Sequence, residues 1–334
     1  MLISDTHNRV FSHYRYVMVK IFIQASSMGQ QVDNELEMYK YMELPFAHRG
    51  HNIIRTLLDT FYIYGPQDKY RCLVHTPLWE SVLAFLRRNP IERLPLPVLA
   101  VVLHRLFLAL DYLHTECHIA HTGLDDSVFT HAEEYELQTP VPRKEVETDG
   151  TQRTIYKSQE LIIPKEVGSP ILCDFGSAEH GDHCHSVFIQ PQIYRAPEVI
   201  LGVPWTFSVD IWNVGCMIWD LYEGGSLFTG QDPEFQRYRN RAHLAEMINL
   251  LGPPPPSLIT QGELSNKFFS NEGDFLNRDL LTGLVPLEQR ETTLAGTAER
   301  KAFLRFMRKM LQWEPGKRSS AKELAENEWI HSHM

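Results

Sequence analysis

A basic surface is what this 334-residue chain most plainly lacks. Its 32 Lys and Arg residues are outnumbered by 42 Asp and Glu, for a formal charge of −10, and they form no stripe. Nucleic acid is therefore not expected as a direct ligand, because such binding needs a basic footprint against the phosphates. Cysteine is also sparse. Cys72, Cys117, Cys173, Cys184 and Cys216 are odd in number and scattered, which excludes a disulfide framework or zinc ribbon and points to a reducing compartment, cytoplasm or nucleus. No long uninterrupted apolar run is present: the most apolar stretch, Leu96 to His114, is broken by His104 and Arg105 and reads as a core helix, so no membrane partner is expected. The opening MLISDTHNRV has neither a basic nor an apolar leader segment, so no signal peptide is expected. Glycine is missing from the first sixty positions except at Gly29 and Gly50, neither in a GxGxxG setting.

What is present is enough for a sizeable core, with 43% hydrophobic and 11% aromatic residues. The first third mixes β-branched and aromatic residues as strands do, at Tyr14 to Ile23, Leu57 to Tyr64 and Tyr70 to His75. Between the first two of these, Val32, Leu36 and Tyr39 recur at helical spacing. From Trp79 helical patterns dominate, at Glu80 to Arg88, Leu96 to His114, Val209 to Tyr222, His243 to Leu250 and Glu299 to Gln312. A polar stretch from about Thr130 to Gly168, with Pro140 and Pro142, reads as an exposed insert or long loop. The pattern predicts an α+β chain with a small strand-rich lobe followed by a larger helical one.

Three motifs carry the chemistry, and their order is more specific than any one of them. Cys173-Asp174-Phe175-Gly176 is followed about twenty residues later by Ala196-Pro197-Glu198, and a dozen beyond by Asp210-Ile211-Trp212-Asn213-Val214-Gly215. In this the chain resembles a protein kinase. QVDNELEMYKYM, LALDYLHTECHIAHT, DIWNVGCMIWDLYEG, HLAEMINLLGPPP and RFMRKMLQWEPGKRSSAKEL narrow the resemblance to the SR-protein kinases, a CMGC-type serine/threonine group, and especially to their compact fungal relatives. His121-Thr122 matches the His-Thr of that group, and the resemblance runs from about residue 13 to the C-terminus.

The resemblance implies a two-lobed kinase fold, with residues 1–77 a small lobe lacking its first strand and 78–334 the large lobe. It implies ATP and Mg²⁺ as cofactors and a protein partner, arginine/serine-rich in this group, with the chain acting as a monomer. Lys20 takes the place of the lysine that holds the α- and β-phosphates, Glu35 that of its ion-pair partner, and Asp174 that of the Mg²⁺ ligand. His75 falls at the gatekeeper position, with Thr76 to Leu78 as the hinge, so that Thr76 and Leu78 belong to the nucleotide site. Arg318 is placed to pair with Glu198, tying the activation segment to the last helices.

Several positions depart from the group. Upstream of the lysine strand no glycine-rich loop is seen, where backbone N–H groups would approach the phosphates. Met18 replaces the small residue found above the adenine ring. Most consequential is the catalytic loop, His121-Thr122-Gly123-Leu124-Asp125-Asp126-Ser127-Val128-Phe129. The aspartate that accepts the substrate hydroxyl proton is Gly123. Strict spacing puts Asp125 at the phosphate-neutralising lysine and Val128 at the metal-binding asparagine; a one-residue deletion puts Ser127 at the metal position. Asp125 and Asp126 are the candidate substitute bases. The chain is thus expected to be a kinase-family protein impaired in catalysis, or a scaffold that binds a partner without chemistry. Two further clusters stand out. His180, His183, Cys184 and His185 are a weak metal candidate, and Arg237, Arg239 and Arg241 make basic the stretch that in SR-protein kinases docks arginine-rich substrates through acidic residues, leaving Glu246 as the near acidic candidate.

Overall fold

A computed structural model of the chain describes residues 17–22, 28–43, 47–64, 69–76, 78, 81–82, 86, 93–124, 143–148, 151–156, 168–181, 185, 188–294 and 296–334. Among them the N-terminal part holds a three-stranded antiparallel sheet, β1 (Met18–Ile21), β2 (Leu57–Tyr64) and β3 (Lys69–His75), in the order β1-β3-β2. Each strand is short and rich in β-branched or aromatic residues; the central β3 carries Cys72, Leu73 and Val74, all fully buried, while the edge strand β1 stays partly exposed. Lys20 pairs with Leu73 in the register of β1 on β3, which aims the lysine off the sheet toward the helix that follows. That helix, α1 (Met28–Met42), turns Glu35, Leu36, Met38, Tyr39 and Met42 inward at the i, i+3, i+4, i+7 spacing.

The larger, helical part is built around α2 (Leu96–Thr115), whose Leu99, Leu103, Leu106, Phe107, Leu110 and Leu113 are all buried. This helix is long and apolar enough to cross a membrane by composition, but its side chains are the centre of the core, as expected for the Leu96 to His114 stretch. After it come the short strand pair β4 (Ile119–Ala120) and β7 (Glu179–His180), then α3 (Pro197–Leu201), α4 (Ser208–Glu223), α5 (Asn240–Leu251), α6 (Thr297–Arg308) and α7 (Ala321–Ala325). In α4, an added Cβ at Gly215 would come within 3.1 Å of Leu311 and Met310, so the glycine sets how closely this helix approaches the C-terminal segment.

The polar stretch expected as an exposed insert contains a regular antiparallel hairpin, β5 (Arg143–Thr148) paired with β6 (Thr151–Tyr156). Strand pairing there satisfies backbone groups whatever the side chains, which is why a polar, proline-flanked sequence concealed it. The helix expected at Glu80 to Arg88 and the residues Asp125, Asp126, Ser127, His183 and Cys184 lie largely or wholly outside the described residues.

Candidate active site

The two parts of the molecule meet at Lys20. Its Nζ donates to Glu35 Oε2 at 2.8 Å and to Asp174 Oδ1 at 3.0 Å, joining β1, α1 and the turn after residue 172. Glu35 is buried, and burial raises its pKa against the opposing pull of the ammonium. For Lys20 burial works to lower the pKa, but the two carboxylates outweigh it and the net direction is upward. Burial disfavours charge on Asp174 as well, yet the adjacent ammonium holds that carboxyl below its ordinary value. Asp174 is more than half exposed, so the trio is open to solvent on that side.

Asp174 reaches this place through a left-handed backbone, φ 67°, uncommon for a residue with a side chain. Phe175 drives the turn: it is fully buried, edge-on to Tyr39 of α1 at 5.3 Å between ring centroids and to His121 at 5.1 Å. Tyr39 in turn lies 5.1 Å from the ring of His75, so a continuous column of four rings runs between the sheet and the helical part. Such contacts add to their area burial about 0.5–1.5 kcal/mol per aromatic pair. Asn34 on α1 donates to the carbonyl of Ala178 at 2.8 Å, holding the helix against the segment after Gly176.

Beneath lies the catalytic-loop position. Asp210 of α4 is fully buried and accepts the backbone N–H groups of His121 and Thr122, each at 2.8 Å, while His114 contacts the same carboxylate at 3.0 Å. His121 Nε2 donates to the carbonyl of Cys173 at 3.1 Å, and the Thr122 hydroxyl donates to the carbonyl of Ser177. Thr122 takes φ 59°, a strained conformation for a β-branched residue, of order 1–3 kcal/mol, which these bonds hold in place. Gly123 follows directly, with its N–H bonded to the His121 carbonyl at 2.8 Å, and Asn213 fixes the next carbonyl, that of Leu124, at 2.7 Å. A Cβ at Gly123 would meet Ser177 Cβ at 3.5 Å and nothing closer, so the backbone has room there for the side chain the sequence omits. The described residues of this turn are held by Asp210, Asn213 and the segment after Cys173, and position 123 carries no side chain.

At the rear of the cleft His75 is fully buried, its Nδ1 donating to the Thr56 carbonyl at 3.0 Å; burial and the neighbouring Arg55 cation bring its pKa down to about 4. Leu78 is buried, and the Thr76 carbonyl accepts from Arg55 Nη2 at 3.1 Å. The sequence reading passed over Arg55, Asn34 and the ring column; the inward spacing of Tyr39 was the available signal for the last. Away from the cleft, Arg318 forks onto Glu198 at 2.5 and 2.7 Å, both side chains wholly buried, with the guanidinium 5.1 Å over Trp212. His185 stacks on Trp205 at 4.6 Å, and among the described residues no His, Cys, Asp and Glu cluster suits a metal ion. Arg241 pairs with Asp232 at 2.5 Å and with Glu234, and Glu246 accepts from the Thr229 and Gly230 backbone at 2.7 and 2.9 Å. Those charges are spent within the fold.

A buried carboxylate that clamps a lysine, a strained aspartate turn below it and a loop hung from a helical aspartate define a nucleotide-dependent phosphotransferase scaffold. The chain belongs to the protein kinase family. The sequence profile of the family described as "Protein kinase domain" matches residues 156–330. A serine/threonine protein kinase of Aspergillus fumigatus is 40% identical over 327 residues, spanning 96% of this chain and 79% of that protein. The serine/threonine-protein kinase SRPK of Physarum polycephalum is 27% identical, over 95% of this chain and 80% of its own length. Among solved structures, the crystal structure of a kinase domain superposes with a TM-score of 0.71, at 22% identity and covering 96% of this chain and 89% of that one. The fold is therefore the two-lobed kinase fold. As a protein kinase domain it is of a class that uses ATP and Mg²⁺ on a protein substrate.

Proposed function

We propose that this kinase domain retains phosphate and metal recognition but is impaired in phosphoryl transfer at the catalytic loop. Kinases transfer the γ-phosphoryl by positioning and charge neutralisation, so each group has one defined duty. Lys20 is placed to hold phosphate oxygens, with Glu35 fixing its direction at 2.8 Å. Asp174 offers a hard, half-exposed carboxylate suited to Mg²⁺, which when bound neutralises phosphate charge. Orientation of the attacking hydroxyl has no such group, and the single observation that carries the reading is Gly123. The turn around it is anchored by Asp210, His121 and Thr122, yet position 123 itself carries no carboxylate.

Removing that group is worth about 10²–10⁴ in rate, the scale of general-base catalysis. On the group's strict spacing Asp125 takes the position of the phosphate-neutralising lysine, a reversal of charge that would oppose the phosphates. We take the protein substrate or partner to be arginine/serine-rich, on the likeness to SRPK, and the domain to act as a monomer, without direct nucleic-acid or membrane contact, in cytoplasm or nucleus. The reading is tested by transfer of labelled phosphate to an arginine/serine-rich peptide. A second reading, a scaffold that binds its partner without chemistry, is favoured by one observation: the ring column and the Glu198–Arg318 fork are complete although the catalytic position is bare.

A further inference from the structure

Residues 176–178, directly after the Asp174 turn, form a short strip whose carbonyls are held from two sides. On the catalytic-loop side, the Thr122 hydroxyl donates to the carbonyl of Ser177. Asn34 of α1 takes the two that flank it: its Nδ2 donates to the carbonyl of Ala178 at 2.8 Å and stands 3.4 Å from that of Gly176. Two carbonyl oxygens face the amide, so its nitrogen must point at them, since an oxygen there would set acceptor against acceptor. The same helix leans on the continuation of the strip, with Tyr41 edge-on to His180 at 5.4 Å between ring centroids. Beyond that the backbone is fixed by β7 pairing with β4, and by the Gly181 N–H donating to the His118 carbonyl at 2.7 Å.

Asp174 needs such a hold. Its backbone is left-handed and more than half of its side chain is exposed, so neither backbone preference nor close packing fixes where the carboxylate points. Phe175 anchors the turn in depth; the Asn34 bonds, made to the residues two and four positions after Asp174, fix its approach to α1. We propose that Asn34 is a positioning residue for the metal ligand: by holding residues 176–178 against α1, it sets the place at which Asp174 presents its carboxylate beside Lys20. This rests on reading Lys20 and Asp174 as the phosphate and metal groups. Lys20 is aimed separately, by Glu35 at 2.8 Å. Loss of the Asn34 amide is therefore felt in the Mg²⁺-dependent part of nucleotide binding and little in the rest, whereas a purely structural role would lower both alike.

The test is equilibrium binding of ATP to the full chain, with Mg²⁺ and with Mg²⁺ chelated, with no turnover required. Asn34→Leu keeps the size and neutrality of the side chain and removes the donor. It is expected to weaken binding with Mg²⁺ by about fivefold, the scale of one neutral hydrogen bond, and to change binding without Mg²⁺ by less than about twofold. Asn34→Gln, which keeps the amide, should recover most of the loss. In the leucine variant the amides of residues 176–181 should exchange hydrogen faster, while those of α6 keep their rates. Asn34→Ala serves if the leucine variant does not fold, with circular dichroism as the check on folding. Unchanged affinity in a folded variant, equal losses with and without Mg²⁺, or a glutamine variant as weak as the leucine one overturns the proposal. Absence of ATP binding by the unmodified chain overturns it along with the nucleotide-site reading. A Mg²⁺ dependence that is present in the unmodified chain and intact in Asn34→Leu overturns it alone.

Discussion

Lys20 and Asp174 are 154 positions apart in the chain, and their charged atoms stand 3.0 Å apart in the fold. One sits on an edge strand of the N-terminal sheet and the other on a strained turn above the helical part, so their pairing fixes how the two halves face each other. Because Glu35 holds the same ammonium, α1 is drawn into the cleft as well. These three side chains are the ones proposed to hold phosphate and metal.

Nucleotide binding should depend on that pairing. Lys20→Met is expected to weaken Mg-nucleotide binding by at least about tenfold, and Asp174→Asn to abolish its Mg²⁺ dependence while leaving residual nucleotide affinity. Titration of a fluorescent nucleotide with and without Mg²⁺ measures both. Unchanged affinity in Lys20→Met would remove the lysine from the site.

Restoring chemistry should need more than one substitution. The space at Gly123 accepts a side chain, with the nearest atom 3.5 Å from an added Cβ, so Gly123→Asp should fold normally. Alone it is expected to recover little transfer, because Asp125 still stands where the group's strict spacing has a lysine. Gly123→Asp with Asp125→Lys should exceed either single variant by about 10-fold or more, in line with general-base and charge effects combined. Equal rates for the single and double variants would show that the second carboxylate is irrelevant.

The Glu198–Arg318 fork should dominate the stability of the helical part. Both charges are wholly buried, so Arg318→Ala leaves Glu198 unpaired and is expected to cost about 3–5 kcal/mol in denaturant unfolding. A loss below about 1 kcal/mol would mean the pair is replaced by solvent or another partner.

Acid should destabilise the fold through its buried histidines. His75 and His243 have folded pKa values lowered by burial to about 4 and about 3, from 6.5. In falling pH the unfolded chain takes up protons from about 6.5 while the folded chain does not, so stability is whole above that range and declines between pH 6.5 and 4. Each histidine contributes a slope of about 1.4 kcal/mol per pH unit there. His75→Leu and His243→Phe should each flatten the pH dependence of thermal unfolding over this interval; a profile as steep as that of the unmodified chain would contradict the assignment.

The sequence made the charged cluster legible because Lys20, Glu35 and Asp174 sit in motifs whose order is rarely met by chance. Helix positions were legible too, since α4 and α5 follow their apolar periodicity to within about three residues at each end. The β5–β6 hairpin was not, because backbone pairing there leaves no apolar alternation to read. Arg55 was invisible for a different reason. In Ile53-Ile54-Arg55-Thr56-Leu57 an arginine reads as a polar break at a strand's edge, and only the bond from its N–H to Leu172 turns it inward. Gly123 could be read as a missing carboxylate, but that its backbone leaves room for one is a property of the fold.

If transfer fails at the catalytic loop while the metal ligand survives, the unmodified chain and a variant without that ligand should be alike in phosphate transfer. Incorporation of labelled γ-phosphate into an arginine/serine-rich peptide tests it most directly, comparing the unmodified chain with Asp174→Asn, Asp125→Ala and Asp126→Ala. Incorporation by the unmodified chain is expected to be no greater than by Asp174→Asn. Vigorous incorporation that Asp126→Ala abolishes and Asp125→Ala preserves would contradict it, and would make Asp126 the base.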